Sequence, residues 1–366
     1  VERIYPDNAA DVFEYDQAGN MTAAANRNVA YAYSYDAANR MTGVNSNNLA
    51  QIVNIGYQYD VTGNRTALTM KEGTSTPKTI NYEYNANNQM TRIISDTTGT
   101  FTFAYDSLGR RIKRNLPNDT YTTYAYDQLS RLTDITHINA FNQTIDSFAY
   151  THDNVGNRLT KTDSDKTISY HYDLLYRLTK ASPGSRTTAQ LPDDIVNHHS
   201  EAYSYDAVGN RQTGPKATDS YAYDAGNELL NYAGYPNKGN TYEYDLNGNI
   251  IKKTETIQNK AKLITSFSYD DENRLITVTI QKGNKTKEIS YAYDPFGRRI
   301  SKTVIKDEIN DDNSTKKTDY PQTIFYIYDN QNIIAEYDQN NQLTASYIYG
   351  PNIDEPLSAD INNNRI

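Results

Sequence analysis

The sequence predicts an all-β chain, built from tandem β-hairpins that join into one continuous spiralling sheet, a hollow shell or part of one. Three observations carry this prediction. One short unit recurs from end to end: an aromatic-x-aromatic pair, an Asp, two variable residues, a Gly or Asn, an Asn or Arg, and a return run. The two rings are spaced two residues apart, which places both on one face of an extended strand. The Gly or Asn three positions past the Asp tolerates the positive φ that a tight hairpin requires.

The fullest copy is Ser290-Tyr291-Ala292-Tyr293-Asp294-Pro295-Phe296-Gly297-Arg298-Arg299-Ile300. Tyr57-Gln58-Tyr59-Asp60-Val61-Thr62-Gly63-Asn64-Arg65 and Tyr203-Ser204-Tyr205-Asp206-Ala207-Val208-Gly209-Asn210-Arg211 are the cleanest others. In each, the Asp can accept bonds from backbone N–H groups two residues on, which makes the turn a chemical prediction. The return run, Arg298 to Val304 in the fullest copy, mixes β-branched residues with long charged stems, as a strand with one wet face does. The positions predicted to define the repeat are Tyr59, Asp60 and Gly63; Tyr105, Asp106 and Gly109; Tyr205, Asp206 and Gly209; and Tyr293, Asp294 and Gly297.

Composition fits thin layers better than a thick core. There are 34 Tyr against 8 Phe and no Trp, and mean hydropathy is -0.81. Burial is therefore expected to rest on tyrosine, with its hydroxyl wet or bonded. A length of 366 residues would suggest two or three domains, but an internal repeat extends one structure instead. Residues 1–350 are read as a single array. A net charge of -9 disfavours a nucleic-acid surface. The Arg at each turn exit is expected to pair with carboxylates across strand faces. No apolar run is long enough for a helical membrane span, and the absence of Cys removes disulfide and thiolate chemistry.

In chain order, the first copies end at Asp16, Asp36 and Asp60, and Asn85 replaces the Asp in the fourth while keeping its side-chain turn bond. Ile80, Tyr82 and Tyr84 share a face, followed by Phe101, Phe103 and Tyr105, with Glu83, Thr102 and Ala104 opposite. Copies at Phe148 and Tyr170 continue the series. The spacing then lengthens over residues 182–201, read as a bulging loop, and again over residues 306–322, read as a mobile surface loop. Residues 351–366 are a polar tail expected to fray. Val1 opens directly on repeat-like sequence, so the chain is read as a piece of something longer.

The repeated Tyr-Asp-x-x-Gly-Asn-Arg unit, with thirteen Tyr-Asp dipeptides, resembles the YD repeat of RHS proteins, toxin-complex shell proteins and the teneurins. That resemblance implies hairpins joined side by side into a hollow shell, which encloses a C-terminal toxin in bacterial relatives and forms an extracellular adhesion scaffold in animal ones. It also implies a secreted or cell-surface location. Tyr347 to Leu357 is similar to the segment leading into the RHS-associated core, which is absent here. The family's self-cleaving Asp-Pro-x-Gly-Leu motif has no match: Asp294-Pro295-Phe296-Gly297 is followed by Arg298 and is read as a turn.

Little else carries chemistry. The Asp residues are spread along the sheet and not paired in a cleft, so no enzymatic activity is expected. His137, His152, His171, His198 and His199 lack paired ligand spacing, and Asp245, Asn247 and Asn249 mimic a calcium loop whose closing Glu is replaced by Thr256. No cofactor or metal is expected. The expected function is a structural scaffold whose partners are other segments of a larger YD protein or an enclosed toxin, with self-association through open sheet edges. The alternative is a recognition module whose Tyr-rich faces bind a glycan or a protein, favoured if the sequence departs locally from the repeat.

Overall fold

The computed structural model describes residues 1–48, 51–73, 75–184, 200–216, 219–234, 238–257, 260–307, 309, 321–361 and 364–365. Among these the chain is all β, without a helix, and its strands pair antiparallel with their chain neighbours into two large sheets of 18 and 13 strands. The chain divides into two compact units, one of Val1–Thr102 with Ser266–Ile366 and one of Phe103–Thr265.

Each repeat is one hairpin. In the first unit Ala10–Tyr15 pairs with Met21–Ala25, Val29–Tyr35 with Met41–Asn48, Gln51–Tyr59 with Arg65–Glu72, and Lys78–Tyr84 with Met90–Ser95. The same ladder runs through Leu275–Lys282, Lys285–Tyr293, Arg299–Asp307, Gln322–Asp329, Asn332–Asp338 and Leu343–Tyr349. A register shift recurs at the Tyr before the turn, as at Tyr35, Tyr59 and Tyr293. It is the bulge that accompanies a turn ending in a left-handed residue.

Alternation decides which residues are buried. Along Val29–Tyr35, Val29 and Tyr31 are buried while Ala30 and Ala32 are exposed. Val29, Tyr31, Ala24 and Ile300 form a core against which Phe13, Tyr33, Ala292 and Tyr328 pack, so residues from both ends of the sequence meet there. Tyrosine supplies part of the burial, at Tyr57, Tyr82, Tyr326 and Tyr337, but Val53, Ile93, Phe101 and Ile300 are sunk as deeply as any. The sparse aliphatic residues are concentrated at the inward positions of this unit, which corrects the expectation of a core resting on tyrosine alone.

In the second unit, Tyr121–Tyr126 pairs with Leu132–Ile138, Thr144–His152 with Arg158–Thr162, Thr167–Tyr172 with Leu178–Pro183, and Lys238–Tyr244 with Ile250–Ile257. Its aromatic faces are mostly half-buried. Around the clean copy at Tyr205 the ladder thins to the isolated bridges Tyr205–Arg211 and Thr213–Ser220. There the Thr213 hydroxyl, not a backbone carbonyl, accepts from the Ser204 N–H at 2.8 Å.

Three expectations need correction. Ser182 and Pro183 pair with Ser169 and Ile168, and Glu201 pairs with Ala181, so the first loop is shorter than residues 182–201. Lys306 and Asp307 pair with Glu288 and Lys287, and Gln322 opens a strand, which trims residues 306–322 likewise. What remains of both loops, 185–199 and 310–320, lies outside the described residues, and His198 and His199 with it. The tail does not simply fray: Pro356–Ile361 pairs with Leu343–Tyr349, because Ser358 and Asp360 alternate with Leu357 and Ala359 as a strand requires.

Candidate functional site

The repeated residues act as one linkage system. At Asp60 the backbone N–H donates to the Asn64 carbonyl at 2.9 Å, and the Asp60 carbonyl accepts from Gly63 N–H at 3.2 Å. Its Oδ1 accepts from the backbone N–H groups of Thr62 and Asn64, both at 2.9 Å, and its Oδ2 from the Asn64 amide at 2.9 Å. Gly63 sits at φ 93°. The Asn64 side chain holds the Asp60 carboxyl down at about 2, with help from Thr62 and against the opposing effect of burial. Asp106, Asp206 and Asp294 make the same Oδ1 pair, with Gly109, Gly209 and Gly297 at φ 81°, 98° and 78°. Asn85 keeps the bonds to Asn87 and Gln89 at 3.0 Å, as the substitution predicts.

The turn-exit Arg does not pair across strand faces. Its Nε donates to the Asp of its own turn, as Arg40 does to Asp36 at 2.7 Å, and its Nη1 reaches forward to the next turn's backbone, the Asp60 carbonyl at 2.7 Å. Arg110 spans from Asp106 to the Asp127 carbonyl in the same way, and Arg177 from Asp173 to the Asp206 carbonyl. Where the exit residue is Asn, its amide bridges to the following turn's Asn: Asn64 to Asn88 and Asn210 to Asn227, both at 2.8 Å.

In many copies the second tyrosine of the pair reaches backward. Tyr59 donates its hydroxyl to the Met41 carbonyl at 2.7 Å, Tyr205 to Leu178 at 2.8 Å and Tyr293 to Leu275 at 2.7 Å. Every such hydroxyl caps the carbonyl that opens the preceding return strand. Arg residues also cover ring faces, as Arg158 does Tyr150 at 4.4 Å and Arg110 does Tyr126 at 4.8 Å. The tyrosine and arginine counts predicted neither contact; only their fixed offset from the turn carries the signal.

One cluster in the first unit differs. Asp294, fully buried, holds its own turn and Arg298 Nε at 2.6 Å, and also accepts from the Tyr31 hydroxyl at 3.2 Å. Arg298 lies over Tyr31 and Tyr328, at 5.4 and 5.1 Å. Phe296, on the same turn, packs 6.1 Å from both Phe13 and Tyr31. Burial first, then the Asp294 carboxylate, pushes the Tyr31 hydroxyl well above its ordinary range. A parallel set forms at Asp329, whose Oδ1 accepts from the Tyr57 hydroxyl at 3.0 Å and Oδ2 from Arg65 Nη1 at 2.7 Å. Asp329 is followed by a two-residue turn, Asp329 pairing with Asn332, so its carboxylate is not spent on a repeat turn. The Asn26 and Asn28 amides donate to the Tyr293 carbonyl at 3.0 and 2.9 Å.

Asp245 and His137 are engaged with neighbouring residues. Asp245 accepts from the N–H groups of Asn247 and Asn249, both at 2.9 Å, which is the hairpin pattern and not a cation loop. His137 shares a hydrogen bond with Thr122 at 2.9 Å and meets Phe148 edge-on. Among the described residues no group of His, Asp and Glu is arranged to hold a metal.

A family model, Teneurin YD-shell, matches residues 1–157. Over those residues the chain is similar to that YD-shell family. Similar proteins include a double-stranded DNA deaminase toxin A of Burkholderia cenocepacia, 26% identical over 97% of this chain and 21% of that protein. A tRNA nuclease WapA of Bacillus subtilis is 33% identical over 40% of this chain and 5% of its own length. The crystal structure of TcdB2-TccC3-Cdc42 aligns with 96% of this chain and 24% of that one at 13% identity, with a TM-score of 0.31. The chain thus spans about a fifth of the first relative and less of the second.

Proposed function

We propose that this YD-repeat chain is a non-enzymatic scaffold, part of a secreted or cell-surface shell that encloses or displays another polypeptide, such as a toxin. The observation that carries the reading is how fully the repeated side chains are spent on one another. The turn Asp oxygens, the turn-exit Arg and the second Tyr hydroxyl are all engaged within a hairpin or with its neighbour. Such groups build a wall and leave no poised acid, base or nucleophile at the repeat. Toxin-named relatives that are far longer than this chain support a division of labour, in which the repeats form the container and chemistry lies elsewhere.

Two measurements test it. The purified chain should neither deaminate double-stranded DNA nor cleave tRNA; either activity, lost on changing a residue of this chain, would refute the scaffold reading. In the natural gene product that contains this chain, a toxin-like segment or partner should resist protease while the repeats are folded and be cut when Asp294→Ala loosens them. Rapid cutting of that segment in the native protein would overturn enclosure.

A further inference from the structure

We propose that a rim of turns in the second unit docks on a lipid bilayer surface by inserting apolar side chains, an inference that goes beyond the scaffold reading and does not depend on it. Two residues past the turn Asp, five successive copies carry Leu108, Leu129, Val155, Leu175 and Val208, each between 63% and 72% exposed. The copy before this run has Asn87 at that position, and the copies after it have Gly226 and Asn247. The apolar run is thus a local departure from the repeat.

These turns lie side by side on one edge of the ladder. Arg110 Nη1 reaches the Asp127 carbonyl, Arg131 Nη1 the Asp153 carbonyl and Arg177 Nη1 the Asp206 carbonyl. Two strand spacings separate successive turns, so the apolar knobs stand about 10 Å apart. A fluid acyl layer closes around separated knobs, whereas a protein partner would have to offer a pocket for each.

The turn at Asp173 is itself unusual. Leu174 is 97% exposed beside Leu175, and Tyr176 holds the left-handed position at φ 61°, where the other copies use Gly, Asn or Ser. A bulky residue strains such a backbone, and strain that is kept points to a role for the side chain. Leu suits the acyl layer, and Tyr suits the headgroup level above it.

Charge does not oppose this docking. The whole chain carries -9, but residues 106–111, 127–131, 153–158, 173–177 and 206–211 together hold five Asp and six Arg. Asp106, Asp127 and Asp173 are paired with the Arg of their own turns at 2.6–2.7 Å. An anionic headgroup layer therefore does not repel this rim, and the Arg already spent on those Asp leave apolar insertion as the driving force.

The test is flotation of the full chain with phosphatidylcholine vesicles, with and without phosphatidylglycerol, at low and high salt. The chain is expected to float with both, saturably and without release by salt. Leu174→Ser combined with Leu175→Ser should weaken binding about tenfold or more, and Leu129→Ser severalfold. Val61→Ser, at an equally exposed apolar turn residue of the first unit, should change nothing. Tyr176→Asn should weaken binding yet raise the melting temperature, since Asn39 and Asn88 hold the same turn position. An unchanged far-ultraviolet spectrum shows that each variant folds. The proposal is overturned if the parent does not float, if the double Leu variant floats as the parent does, or if Val61→Ser weakens binding as much. It is also overturned if only phosphatidylglycerol vesicles bind and salt releases them, or if the rim joins two copies, seen as a lipid-free dimer that the double variant abolishes.

Discussion

Tyr31 donates its hydroxyl to Asp294 across 263 positions of sequence, and the carboxylate that receives it is completely shielded from solvent. Asp294 thereby does two jobs. It caps its own hairpin as every repeat Asp does, and it ties a late hairpin of the first unit to an early one.

Removing that carboxylate should be far more damaging than removing its equivalents. Asp294→Ala leaves Arg298 without its partner in a site only 16% exposed, and a broken buried pair costs about 3–5 kcal/mol. The same change at Asp36, whose pair with Arg40 is partly solvated, should cost clearly less. Denaturant midpoints of the two variants check this; equal shifts would mean that the contact with Tyr31 and Arg298 adds nothing.

Tyr59→Phe keeps the ring and deletes the bond to the Met41 carbonyl, for an expected loss of about 1 kcal/mol. Tyr33→Phe deletes a hydroxyl that bonds to none of the described residues, so stability should stay where it is. Thermal melts of the pair separate hydroxyls that staple hairpins from those that do not.

Gly63 has no atom within 4 Å of where a Cβ would lie, yet its φ is +93°. Gly63→Ala should therefore cost about 1 kcal/mol by backbone conformation alone. Gly63→Asn should recover part of that loss, because Asn39 and Asn88 occupy the same turn position at φ 59°. If Ala and Asn behave alike in denaturant melts, the left-handed turn does not set the cost.

Stability should fall at both ends of the pH scale. Asn20 lowers Asp16, Asn64 lowers Asp60 to about 2 and Arg110 lowers Asp106, all through side-chain hydrogen bonds. Folding favours their charged forms, so this stabilisation is complete above the ordinary Asp value of 3.8 and is lost as the pH drops toward about 2. Burial raises Tyr5, Tyr82 and Tyr328 to about 12. Folding favours their neutral forms, so that contribution holds below the ordinary value of 10.0 and disappears as the pH climbs through about 12. Tyrosinate absorbance should lag behind that of free tyrosine above pH 10 and then rise with unfolding; a simple titration at the ordinary value would contradict the burial of these rings.

The hairpins were legible because their causes are local. A ring pair at i and i+2, an Asp bonding the N–H groups two and four residues on, and a left-handed residue three past it all lie within one short segment. Some copies were harder to see. Ser130 and Tyr176 hold the left-handed position at φ 62° and 61°, and Asn139 builds a full turn with Phe141 and Gln143 without any Tyr before it. The geometry tolerates these residues, but their side chains do not announce it. The paired strand Pro356–Ile361 was missed because its residues are too polar to signal burial, whereas backbone pairing needs none.

The sequence by itself determined the all-β class, the repeat, and the turn chemistry at Asp60, Asp106, Asp206 and Asp294. Only the tertiary structure decided which of many alike residues differ in role. Asp36 and Asp294 share the same turn, with an Arg four positions on, but one stays half-wet and the other lies buried against Tyr31. Turn bonds depend on residues a few positions apart, so side-chain identity suffices to predict them. The meetings of Tyr31 with Asp294 and of Tyr57 with Asp329 depend on the summed twist and register of the strands that carry those residues, and no short stretch of sequence encodes that sum.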